Sequence, residues 1–411
     1  MTVAGLVRRW NSFFFDAASP LPVALYRIFY GILHILNLWL MSPDWLAYYG
    51  PHGIVSQETA LNMDPGAHFS LLTHVPDSSL LVNVFFWVMI ALAVLVTIGF
   101  MTRLSTIALY LCFMSLQMRN IYILNGGDNL LRVCGFFLMF APAGAALSVD
   151  RLLRIWRGKE GIAVPESSPW AQRMMQIEAS IVYFTTAWWK TLGVTWMKGT
   201  AVYYSLHLRE IARFPIPGMH SPFLMRLAAW GTLVVEFSAG ILVWFRDLRY
   251  FVLLAVIGLH LGIEYTMTLP LFEWITIATL ITFVDPADLS RVWAWIRQRV
   301  GPRIGAVRIV VYDPALAMSV RAANVLRVID IFGRLQVVEI AAPDTLALLP
   351  VPPPALSAEH PVMVLTTAGP RVGFALLATL APVIPLLWPL APLALASHPP
   401  PRVSGAASAV R

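Results

Sequence analysis

The stretch 174–207, MMQIEASIVYFTTAWWKTLGVTWMKGTAVYYSLH, sets two ionisable groups, Glu178 and Lys190, in and at the edge of an apolar run. Trp188, Trp189, Trp196, Tyr203 and Tyr204 crowd the lysine. A lysine in hydrocarbon costs roughly 2.5–3.5 kcal/mol on insertion scales. Two arrangements tolerate that cost. The side chain snorkels to the headgroups, or it lines a polar cavity inside a helix bundle. In the second case burial disfavours the charged amine, and a neutral amine is a base. Position alone leaves both open. Glu178 and Glu236 are candidate partners for Lys190 or for Arg27. His260 and Glu264 lie one helical turn apart and are expected to form one polar patch; His260 also reads as a helix-packing group. Asn125-Gly126-Gly127-Asp128 is a turn by composition. Asp128 either caps the helix that follows or contributes to a site, with Arg119 and Arg132 as flanking cations.

The elements that position these groups belong to a membrane. The chain has 411 residues, 58% hydrophobic and 12% charged, against about 25% charged in ordinary soluble domains. The net charge of +7 needs no nucleic acid, because basic residues gathered in cytoplasmic loops give the same total. Cys112 and Cys134 both fall in apolar runs and read as small packing residues rather than a disulfide. There is no CxxC and no zinc-type spacing, and no metal, haem or flavin motif is expected.

In chain order, residues 1–20 form a cytoplasmic amphipathic lead. Spans are expected at 22–41, 79–100, 104–122, 129–147, 174–192, 225–245, 249–268 and 271–285. The first reads as a retained span, not a cleaved signal peptide, and Arg27, His34 and Asn37 share one stripe of it that should face the bundle. The loop 42–78 has no Lys or Arg and marks the outer side, as does 193–224, whose part 195–210 is expected as a re-entrant or interfacial helix. Arg103, Arg151, Arg154, Arg157, Lys159, Arg246 and Arg249 sit in inner loops. Eight spans with both termini cytoplasmic satisfy the positive-inside rule. Pro270 is the weak point, since it can also kink one broken helix.

Beyond the bundle (21–290), residues 291–304 form an interfacial helix and linker. Within 305–400, 307–312, 334–340 and 362–366 read as strands and 315–332 as a helix, which makes a small α/β domain. Residues 373–397 are interrupted by Pro382, Pro385, Pro389 and Pro392, so short helices are expected there rather than a ninth span. Residues 401–411 are expected to be a disordered tail.

Two sets of residues carry a resemblance. Arg103-Leu-Ser through Tyr110, Ser115, Arg119-Asn120, Asn125-Gly-Gly-Asp128, Leu130-Leu-Arg132, Phe140, Pro142 and Ser148-Val-Asp150 form the first block. Tyr183, Lys190, Trp196 and Gly199-Thr-Ala201, with His260, Phe272 and Ile275, form the second. Together they resemble the bacterial HTTM (horizontally transferred transmembrane) proteins, relatives of the membrane part of vitamin K-dependent gamma-carboxylase, over about 20–290. The resemblance implies a lysine base acting on a reduced lipoquinone (menaquinone or vitamin K-like) with dioxygen, and Lys190 matches that lysine. His260 then joins it as a catalytic candidate, with Asn125, Asp128, Arg119, Trp196 and Glu264 as substrate-binding candidates. The large lumenal portion that handles the carboxylase's substrate has no counterpart in this sequence.

The C-terminal domain is similar to the thioredoxin-like DCC family at Val310-Val-Tyr-Asp313, Arg321, Ile331-Phe-Gly-Arg334, 337–340 and Leu386-Leu-Trp-Pro389. Leu316 and Ser319 stand where its two cysteines belong, and dithiol exchange needs a thiolate. A structural or docking role is left.

The expected fold class is therefore an all-α polytopic bundle of about eight transmembrane helices with a small C-terminal α/β, thioredoxin-like domain, in a bacterial inner membrane. The expected function is a lipoquinol-dependent oxygenase or an enzyme modifying an exported peptide. The alternative is a non-catalytic membrane scaffold or small-solute permease. Maturation of one secreted partner protein is a third reading. The expected partners are the lipid bilayer with a lipoquinone or an exported peptide, and no nucleic acid.

Overall fold

A computed structural model describes residues 2–63, 69–74, 76–346, 355–366 and 369–390. The expected tail at 401–411 and, of the four prolines in 373–397, Pro392 lie outside them. The chain divides into two compact units. One comprises 1–150 with 164–286, the other 151–163 with 287–411.

The first unit is helical. After α1 (Val3–Phe15) come α2 (Leu21–Met41), α3 (Ser79–Ile98), α4 (Thr102–Arg119) and α5 (Gly126–Leu138). Then follow α6 (Trp170–Thr191), α7 (Pro222–Ile241), α8 (Arg246–Thr266) and α9 (Phe272–Leu280). Among the described residues, four helical stretches are long and apolar enough to cross a membrane: Leu21–Tyr49, Ser79–Ile98, Pro222–Trp244 and Arg246–Thr266. The other expected spans differ. Helix α5 has 13 residues, about 20 Å at the helical rise, and α9 has 9, whereas a hydrocarbon core is about 30 Å thick. The segment expected as a span over 129–147 ends its helix at Leu138, and 141–148 is bend and turn. Helices α4 and α6 are long enough, but Ser, Thr, Gln and charged residues dilute their apolar character. The expected helix over 195–210 is two short ones, Val194–Met197 and Ala201–His207.

The stripe on α2 faces inward as expected at Arg27 and His34, while Asn37 is half-buried. Arg27 is fully buried and His34 nearly so. Neither Glu178 nor Glu236 partners Arg27. Its guanidinium donates to the carbonyls of Thr97 (3.3 Å), Ala143 (2.8 Å), Ala146 (3.5 Å) and Leu147 (2.5 Å). Gly99 closes α3 at φ +69°, and a Cβ there would lie 2.4 Å from Arg27 Nη1, so glycine is required twice over. Asp150 caps α4 by accepting from Met101 N (2.8 Å) and Thr102 N (2.7 Å). Cys112 and Cys134 are buried and unbridged.

In the second unit β1 (Arg308–Tyr312), α10 (Ala317–Ile329), β2 (Leu335–Glu339), β3 (Val362–Thr366), β4 (Gly369–Arg371) and α11 (Gly373–Leu380) follow in order. The sheet order is β2-β1-β3-β4. Strand β1 runs parallel to β2 with Val310 opposite Val337, and antiparallel to β3 with Val310 opposite Val364. Val310 and Val311 have no exposed surface, as a central strand requires. The short strand β4 was not expected, because Gly-Pro-Arg carries no strand signal. Helix α11 stops at Leu380, ahead of Pro382.

Candidate functional site

Lys190 sits in the last turn of α6. Tyr183, two turns earlier on the same helix, shares its face. Helix α7 packs along α6 and brings Glu236 to Lys190, whose ammonium contacts Glu236 Oε1. The lysine side chain keeps 26% of its surface exposed and the glutamate 10%. Trp196, from the short helix after α6, lies with its ring 5.1 Å from Lys190 Nζ, an arrangement that favours a cation. Glu236 Oε2 is buried and has no hydrogen-bond partner among the described residues.

A second polar chain lies beside this pair. The Tyr183 hydroxyl is 2.9 Å from His260 Nε2. His260 Nδ1 contacts Glu273 Oε2. The three residues come from α6, α8 and α9 and are 8%, 5% and 0% exposed. The Phe272 ring meets the imidazole edge-on at 6.0 Å. Glu236 is within electrostatic reach of His260, and Tyr183 of both Glu236 and Glu273. Four helices therefore aim five ionisable side chains at one region, where their burial is tolerated only with partners.

The Asn-Gly-Gly-Asp corner positions α9. Asn125 Oδ1 accepts from Gly127 N (2.7 Å) and Asp128 N (3.3 Å), while Asp128 Oδ2 accepts from Asn125 N (2.8 Å), a reciprocal cap. Asn125 Nδ2 is 3.5 Å from the Pro270 carbonyl. A Cβ at Gly127 would stand 3.0 Å from Ile275 Cδ1 and 3.2 Å from Phe272 Cα. The glycine thus lets the start of α5 lie against the start of α9, the turn that carries Glu273 into His260.

Of the expected site residues, Lys190 and Trp196 come together, while His260 pairs with Tyr183 and Glu273. Asn125 and Asp128 brace α9 from the corner. Asp128 pairs with neither flanking cation: Arg119 donates to the carbonyls of Val55 (2.7 Å) and Ser56 (3.3 Å), and Arg132 to Asn129 Oδ1 (3.0 Å). The expected patch of His260 with Glu264 does not form. Glu264 pairs with Arg213 at 2.7 Å, and Glu273 takes the imidazole. Glu273 was missed, although a lone carboxylate in the run LFEWITIATL is the signal that marks an intramembrane functional group.

The HTTM domain family matches residues 15–287. The protein described as Uncharacterized protein YitO, from Bacillus subtilis, is similar at 25% identity over 285 residues, 67% of this chain and 88% of that protein. No solved structure matches.

Proposed function

This chain belongs to the HTTM domain family, and on that premise we propose that it is a membrane enzyme in which Lys190 acts as a base towards a weakly acidic hydroxyl of a lipid-soluble molecule, with a hydroquinone as the substrate class. The observation that carries this is the Lys190–Glu236 pair with Glu236 Oε2 buried and unpartnered beside it. In an apolar setting an amine–carboxylate pair holds its shared proton on either partner. With the proton on Glu236 Oε2, Lys190 Nζ is neutral, donates to Oε1 and keeps its lone pair free. An aromatic hydroxyl fits the donors and acceptors present: its proton meets the Lys190 Nζ lone pair, its oxygen accepts from the Glu236 Oε2 hydroxyl, and Trp196 offers a ring to stack on. A reduced lipoquinone would bring such a hydroxyl, together with the electrons that dioxygen consumes. The partly exposed lysine on an otherwise apolar face leaves a route in from lipid.

The arrangement we propose in the membrane has eight segments and cytoplasmic termini. The half-length α5 and α9 are screened by their neighbours, and the basic residues of the inner loops support this orientation. The bilayer is then the inner membrane of a bacterium. For the second unit, the parallel β1–β2 pair with antiparallel β3 and β4 supports a thioredoxin-like, DCC-type origin. Ser319 Oγ, at the second cysteine position, is buried and accepts from Asp313 N at 2.7 Å. A docking or structural role follows for this unit.

A scaffold is the second reading. Arg27, buried and bound to four carbonyls, is an intramembrane charge spent on holding helices together. The test is full-length protein in lipid nanodiscs with reduced menaquinone in air, assayed for quinone epoxide by chromatography and mass spectrometry. Epoxide from the wild type and none from folded Lys190→Ala supports the enzyme. No epoxide from either, with both folded, sends the assignment to the scaffold or to modification of an exported peptide.

A further inference from the structure

We infer that Tyr183, His260 and Glu273 form a hydroxyl–imidazole–carboxylate relay, in which Tyr183 is a second proton-handling group beside Lys190 and the other two are its positioning residues. The inference rests on the proposed base chemistry at Lys190 and adds to it. Its ground is the order of the contacts. A carboxylate only accepts, so the bond from His260 Nδ1 to Glu273 Oε2 places the proton on Nδ1. In the neutral imidazole Nε2 is then bare and faces the Tyr183 hydroxyl at 2.9 Å. The hydroxyl donates, the ring accepts, and the carboxylate fixes the tautomer, which is the arrangement by which a base activates a hydroxyl.

Packing of apolar helices does not call for this set. Tyr183, His260 and Glu273 are all buried, and Glu273 Oε1 is left without a partner among the described residues. A group retained only to join helices would satisfy its own polar atoms. The relay also meets the lysine site. Tyr183 stands two turns from Lys190 on one face of α6, and its oxygen is within electrostatic reach of Glu236, the carboxylate that holds the lysine. When Lys190 takes a proton from a substrate hydroxyl, that proton must leave before the next turnover. Tyr183 gives its phenolic proton to His260 Nε2 and recovers one from the Lys190–Glu236 pair; the imidazolium, held by Glu273, keeps that proton until it returns along the same path to the oxygen atom that leaves as water. Each transfer breaks one O–H or N–H bond and forms another, with no oxidant or reductant involved. The bracing of α9 by Gly127 and Asn125 then has a purpose, because it holds Glu273 in line with the imidazole.

The experiment uses full-length protein in lipid nanodiscs, ¹⁵N-labelled at histidine, with His260→Gln identifying the His260 signals among the 9 histidines. Wild type should show a neutral ring protonated at Nδ1 with Nε2 bare. Tyr183→Phe should keep that tautomer and shift Nε2 to the value of an unbonded nitrogen. Glu273→Leu should lose the tautomer preference, and Glu273→Asp should regain part of it. With reduced menaquinone as probe, Tyr183→Phe should lower kcat at least tenfold, with KM within about twofold and the unfolding temperature unchanged. A ring protonated at Nε2, or doubly protonated, overturns the relay. So does wild-type kcat in Tyr183→Phe. If wild type does not turn over menaquinol, the substrate assignment fails, and the nitrogen signals still decide the relay.

Discussion

Removing both partners of the Lys190–Glu236 pair should cost less than the sum of removing each alone. Breaking a fully buried ion pair costs about 3–5 kcal/mol, and an exposed one contributes about 0–1 kcal/mol. The lysine keeps 26% of its side-chain surface and the glutamate 10%, so this pair falls between those limits. Trp196 also gives the stranded ammonium a partial substitute for Glu236. We expect Lys190→Met to cost about 2–3 kcal/mol, because both Glu236 oxygens would then lack a donor. Glu236→Gln should cost about 1–2 kcal/mol, since the amide still accepts from the ammonium. The double variant should cost about 2 kcal/mol less than the sum. The assay is a double-mutant cycle on reversible unfolding in bicelles. Additivity within about 0.5 kcal/mol would refute the claim that these two side chains hold each other inside the bundle.

Four further outcomes follow from the geometry. Gly127→Ala gains about 0.5–1 kcal/mol of helix preference but sets a Cβ against the Phe272 backbone at 3.2 Å. A net loss near 1 kcal/mol should appear as a lower unfolding temperature, and unchanged stability would discount the close approach. Gly126→Ala meets only the edge of the Phe272 ring at 3.0 Å, so thermal unfolding should find it neutral or stabilising. Arg27→Met removes the donor from four carbonyls, two of them in fully buried contacts, and should destabilise by about 3 kcal/mol, seen as loss of folded, detergent-extractable protein. Leu316→Cys with Ser319→Cys places two thiols at the start of α10. The first should titrate below the free-thiol value of about 8.5 in an alkylation-rate profile, and an ordinary value would argue against a thioredoxin-like ancestry.

Legibility followed how local each feature is. Helices α2, α3, α7 and α8 are long apolar runs, and periodicity with length places them within a few residues. Helix α5 was overextended because apolarity continues past Leu138 through Phe140 and Ala141, while Pro142 and the Arg27 contacts to Ala143, Ala146 and Leu147 turn the backbone. A tertiary clamp of that kind leaves no periodic trace. The lysine and its partner Glu236 were both visible as charges in apolar surroundings. The choice of Glu273 over Glu264 for His260 was not, because it depends on the rotational phase of three helices. Helical spacing put Glu264 near His260, but Arg213, from the segment before α7, takes that carboxylate. The strands β1, β2 and β3 were readable from β-branched runs, whereas β4 depends on pairing with β3 alone.

The corner at Asn125 also constrains how the protein is made. Its partners, Pro270, Phe272 and Ile275, are encoded about 145 residues later. At roughly 5–20 residues per second, translation supplies them about 7–30 s after α5 emerges. During that interval a helix of 13 residues is too short to hold a transbilayer position unaided. The insertion machinery, or α4 packed beside it, has to shelter α5 until the last third of the bundle arrives. Nascent chains cut short before residue 270 should therefore be substrates for membrane quality control.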